Sequence, residues 1–206
     1  MRIDGLRLAG VVMGIALAGG GAAYAQTDVS ASVYGTMTQD ANGNGSTAHQ
    51  SDAGGGMVEL RHISNPLVGY EATYSFNRAN QLDSTTNGVC GLVCGPQPPV
   101  AVPANEHEVS ADWVASLKVL NFRPFALAGV GVLVFAPSGQ PMNFNASTIT
   151  KPAFVYGVGA DWGVMPHVGL RLQYRGNLYK APQFAFTSTG ATTVQSEVAI
   201  GVYFRL

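Results

Sequence analysis

Charge is what this chain has least of. Asp, Glu, Lys and Arg make up 11% of its 206 residues, against roughly 25% in a soluble domain. That deficit disfavours a water-facing globule. The net charge of −1 leaves no electrostatic basis for a nucleic-acid partner. Cysteine is nearly absent: Cys90 and Cys94, in CGLVC, are the only two. With no further Cys or His to complete four ligands, the pair reads in an exported chain as a small disulfide and not as a metal site. Apolar runs of about 18 residues, the length of a membrane-spanning helix, are missing. The one short run, Leu8 to Ala18, is Gly-rich, flanked by Arg2 and Arg7, and followed by Ala23-Tyr24-Ala25. Residues 1–25 therefore read as a signal peptide, leaving 26–206 as one domain.

What is present is glycine, 26 residues of it, and alternation of period two broken by Gly, Asn, Pro and Ser clusters. The pattern predicts eight strands, at about 27–39, 55–64, 67–78, 105–118, 122–136, 151–164, 167–180 and 192–206. Connections alternate between long (40–54, 79–104, 137–150, 181–191) and short (65–66, 119–121, 165–166). Even strand number with alternating loop lengths is the order of an antiparallel up-and-down transmembrane β-barrel, short turns on the periplasmic side. One face of the strands is apolar, as in Val198, Ile200, Val202 and Phe204, and it carries aromatics near strand ends, as a membrane girdle does.

The other face carries charge: Glu59, Arg61, Glu71, Glu108, Asp112, Asp161, Arg171, Arg175, Glu197 and Arg205. An eight-stranded barrel is just wide enough for side chains to fill, so these predict an ion-paired plug. The functional alternative is a narrow polar path for ions or small solutes, and alternation leaves Asp112 and Asp161 without assigned partners.

The segments RPFALAGVGVLVF, FVYGVGADWGVMPHVGLRLQYRGNLYKAP and AIGVYFRL resemble the last four strands of the outer-membrane β-barrel family that includes the transmembrane domain of outer membrane protein A. The resemblance implies a cell outer-membrane location, contact with membrane lipid and lipopolysaccharide, and a C-terminal strand read by the barrel-assembly machinery, here Val202, Phe204 and Leu206. A terminal Phe is usual in that family; here Phe204 is third from the end. The family has no single activity and includes anchors, adhesins and narrow channels. No peptidoglycan-binding domain is expected after strand eight, so a cell-wall tether is not carried over. No cofactor is expected, and the barrel is expected to be a monomer.

One stretch invites chemistry. RHISNP, residues 61–66, is similar to the His-x-Ser-Asn run of lipid A deacylases, which would make His62 the base and Ser64 the nucleophile beside Asn65. Period two puts His62 and Ser64 on the lipid face. The short turn, however, places them at the periplasmic leaflet, away from lipid A, and no neighbouring carboxylate is evident to orient His62. His49, His107 and His167 form no spaced metal cluster, and the Gly runs lack the strand-turn-helix context of a phosphate loop. The expectation is a structural or surface-interaction barrel without catalysis, whose long loops offer a surface for an external ligand.

Overall fold

A computed structural model describes residues 26–65, 67–85, 100–139, 146–184 and 189–206. Cys90, Cys94 and residues 1–25 lie outside the described residues. The elements are β1 Gln26–Thr38, β2 Ala41–Gly43, β3 Ser46–Gln50, β4 Ala53–Ile63, β5 Val68–Thr85, β6 Val100–Ser116, β7 Phe122–Pro137, β8 Ile149–Gly163, β9 Val168–Lys180 and β10 Thr192–Arg205. Eight of them close an antiparallel barrel in the order β1-β4-β5-β6-β7-β8-β9-β10, with β10 pairing back onto β1. All eight expected strands are present, and closure leaves the barrel without an open edge.

Alternation sorts the faces. On β10, Glu197, Ala199 and Tyr203 are 0%, 1% and 3% exposed, whereas Val198, Ile200, Val202 and Phe204 are about half exposed. Trp113 and Trp162 project outward toward the short-turn end, Phe76 and Phe154 toward the long-loop end. Glycine serves this barrel by making room for neighbouring rings. Gly169 lies under the Tyr203 ring inside, and Gly176 under Tyr156 outside, where a Cβ would collide.

Two features differ from the expected layout. Strands β5 and β6 run to Thr85 and from Val100, so both described ends of the expected 79–104 connection are ladder, with Ala79 opposite Ala104 and Asp83 opposite Val100. A spanning strand needs about 9 to 11 residues; β5 has 18 and β6 has 17, so the pair overhangs the barrel. The first long loop is also structured. The β2–β3 hairpin turns at Asn44 and Gly45, with φ of 49° and 71°, which suits the type I′ turn that an Asn-Gly pair favours. It adds to β5 through His49 opposite Leu82.

Candidate functional site: the barrel interior and its two mouths

The inward face is packed with charge. Register sets the first pairs: Arg61 lies opposite Glu71 on β4 and β5, Asp161 opposite Arg171 on β8 and β9, and Arg175 opposite Glu197 on β9 and β10. Opposed residues on adjacent strands are within side-chain reach. Arg61 Nε donates to Glu71 Oε2 at 2.6 Å, and Arg171 Nε to Asp161 Oδ1 at 2.7 Å.

Closure then brings together residues from non-neighbouring strands. Arg171 reaches Asp28 at 2.9 Å, Glu59 at 3.2 Å and Glu71 at 3.4 Å. Arg61 reaches Asp161 at 3.2 Å. Arg175 reaches Glu108 at 3.0 Å, Asp112 at 3.3 Å and Glu71 at 3.5 Å, besides its ladder partner Glu197 at 3.9 Å. Glu71 thus contacts three guanidiniums, those of Arg61, Arg171 and Arg175. The neutral groups Ser30, Gln173 and Asn177 take up further carboxylate oxygens of Glu59, Glu108 and Glu197. The Arg61 guanidinium also lies 3.9 Å over the Phe125 ring, a contact that stabilises a buried cation. Buried charges persist only when paired and hydrogen-bonded in this way.

Of the ten residues expected inside, nine are brought together. Arg205 stands apart: it sits at the short-turn rim, where Nη1 donates to the Pro166 carbonyl at 3.5 Å, and it joins no ion pair among the described residues. Its place so near the end of β10 carries it past the network. Asp28, Glu106 and Arg123 also face inward and were not among the expected charges. The signal for each was available, because they share parity with Ser30, Glu108 and Phe125.

Apolar side chains complete the filling. Val102, Leu133, Phe135, Ala153, Tyr179 and Phe184 cluster at the long-loop mouth, and Phe184 N is held by Asp83 Oδ2 at 2.7 Å. Ile63, Val114, Phe125, Leu127 and Val155 form a second cluster in the wall beneath Arg61. Arg61, Arg171, Arg175, Phe135 and Leu133 are all less than 2% exposed. Above the long-loop mouth, the β2–β3 hairpin meets the last loop: Asn44 Nδ2 donates to the Thr189 carbonyl at 3.4 Å, and Ala41 and Ala48 pack with Ala181.

In RHISNP, Arg61–Ile63 end β4 and Ser64 and Asn65 begin a turn, while Pro66 lies outside the described residues. His62 Nδ1 is 2.9 Å from Thr27 Oγ1, and its ring lies 5.0 Å from that of Tyr70. Ser64 falls beyond β4 and is exposed. Asn65 Oδ1 accepts from the Leu67 and Val68 amides at 3.0 and 2.8 Å, an Asx-type cap. Among the described residues no group of three or more His, Cys, Asp or Glu is placed to hold a metal ion. Val202, Phe204 and Leu206 lie exposed along the end of β10, with His167 stacked on Phe204 at 6.3 Å.

No family model and no curated protein matches the chain. Solved structures do. Outer membrane protein OprG from Pseudomonas aeruginosa is 10% identical at a TM-score of 0.62, over 88% of this chain and 96% of that one. Neisserial surface protein A is 12% identical at 0.57, over 89% and 100%. Ail, the attachment invasion locus protein of Yersinia pestis, solved with the heparin analogue sucrose octasulfate, is 13% identical at 0.54, over 88% and 99%. At these identities the likeness is one of fold, that of closed β-barrels.

Proposed function

We propose that this chain is an exported outer-membrane barrel that works through its long-loop surface, its interior serving as a plug and not as a conduit. The observation that carries this reading is the filled lumen: an ion-paired layer buried under an apolar cluster at the long-loop mouth. Three similar folds, two of which are named as surface or attachment proteins, agree with the location and with a surface role. The overhanging β5–β6 ribbon and the β2–β3 hairpin supply a folded platform there. RHISNP has no catalytic part in this reading, because Asn65 is engaged as a cap and His62 with Thr27. Membrane lipid and lipopolysaccharide surround a monomeric barrel, and the end of β10 serves as the handle for the assembly machinery. Planar-bilayer conductance of the refolded, heat-modifiable protein is the test, since a closed lumen passes no discrete current.

One observation favours the second reading, a narrow cation path. Glu106, Glu108 and Glu197 lie toward the long-loop mouth, where the buried Arg175 meets Glu108 and Glu197, while Glu106 accepts from Gln50 Nε2 at 2.7 Å. The same conductance experiment separates the two.

A further inference from the structure

At the short-turn end of the barrel a pocket of about 300 Å³ opens between the β6–β7 turn, the β8–β9 turn and the end of β10. Three cations line it, Lys118, Arg123 and Arg205, together with Asn121 and Tyr203, and no carboxylate does. For a chain so short of charge, three bases around one small cavity are a concentration that the ion-paired interior does not use. Arg123 forms the buried floor at 7% exposure, and its Nη2 donates to Gln26 Oε1 at 2.7 Å. Arg205 Nε is buried without a hydrogen-bond partner. The nearest acids on the interior side, Asp28 and Asp161, are already drawn to Arg171 at 2.9 and 2.7 Å.

We infer that this pocket is a binding site for a phosphate group. Two guanidiniums and an ammonium converging without a carboxylate suit a tetrahedral oxyanion, because arginine forks bind phosphate oxygens through paired charge-assisted hydrogen bonds. The buried, unpartnered Arg205 Nε is a donor that an anion would satisfy. The cavity is larger than a bare phosphate needs and reaches the small end of ligand pockets. Its rim points to a source: Leu120 and Met165, at the tips of the flanking turns, are 87% and 65% exposed. Apolar turn tips beside a basic pocket match an anionic phospholipid, headgroup in the pocket and glycerol backbone against the tips. Free phosphate shares the same chemistry. The compartment, periplasmic leaflet and not outer leaflet, rests on the topology proposed above; the binding itself does not.

The test uses the folded full chain in neutral detergent micelles. It is titrated with short-chain phosphatidylglycerol, with phosphatidylcholine of the same chain length, and with inorganic phosphate as competitor, and bound adducts are counted by native mass spectrometry. Phosphatidylglycerol should bind in preference to phosphatidylcholine, and K118Q/R205Q, which removes two charge-assisted contacts, should cut its occupancy at least about tenfold, the effect of losing even one of them, with heat-modifiability unchanged. Competition by inorganic phosphate supports a site for the bare group, and preference without competition supports the lipid as its source. Equal occupancy by the two lipids, or occupancy unchanged in K118Q/R205Q, overturns the proposal. Failure here leaves the topology standing, since protease access to the long loops on intact cells reads that separately.

Discussion

Arg171 Nη1 and Glu71 Oε2 lie 3.4 Å apart although their strands face each other across the barrel. Three strands separate β9 from β5 whichever way round the wall is followed. The pair therefore spans the lumen, and with Arg61 and Arg175 also on Glu71 it ties opposite walls together.

Breaking this tie strands charge in a dry interior. Arg171→Met should lower stability by about 3 to 5 kcal/mol, because four carboxylates lose a shared partner. Urea unfolding of the refolded barrel in lipid measures it. A change below about 1 kcal/mol would mean that the pairs are screened by water.

Gly169 makes room for the Tyr203 ring, and an added Cβ would meet that ring and the Trp162 carbonyl. Gly169→Ala should cost about 1 to 3 kcal/mol through overpacking. Gly35, which has nothing within 4 Å of a built Cβ, should accept Ala with little change in the same unfolding assay.

Leu120 holds a φ of 55° in the β6–β7 turn, a region that costs an L-residue with a Cβ roughly 1 to 2 kcal/mol. Leu120→Gly relieves this, less the entropy that glycine loses on folding, for a net gain of about 0.5 to 1 kcal/mol. Leu120→Val should be worse than the parent, because branching at Cβ suits this region least. Thermal loss of the heat-modifiable form ranks the three.

With His62 bound to Thr27 and Asn65 engaged as a cap, His62→Ala should leave the acyl-chain pattern of lipid A in expressing cells unchanged. Acyl chains removed by the parent and retained with His62→Ala would restore the hydrolase reading.

The architecture was legible because it rests on parity: period two places Glu71 and Arg171 inward whatever their neighbours do. Their contact was not, since it depends on strand tilt and stagger, which exist only once the sheet closes. Parity would also have supplied Asp28, Glu106 and Arg123. The overhang of β5 and β6 was hidden by Pro103, which reads as a stop yet sits in the ladder opposite Asn80. The β2–β3 hairpin carried its Asn44-Gly45 turn signal openly, but strands of 3 and 5 residues are too short for alternation to show. The basic pocket at the short-turn mouth joins residues from three separate segments, a proximity that spacing along the chain does not express.

The most direct test of the plugged barrel is single-channel recording in planar bilayers, with folding verified by heat-modifiability in the same sample. A plugged parent barrel shows no discrete conductance. Steady unitary steps that change in size or ion selectivity with Arg171→Gln or Glu197→Gln would contradict it and make the interior charges the lining of a path.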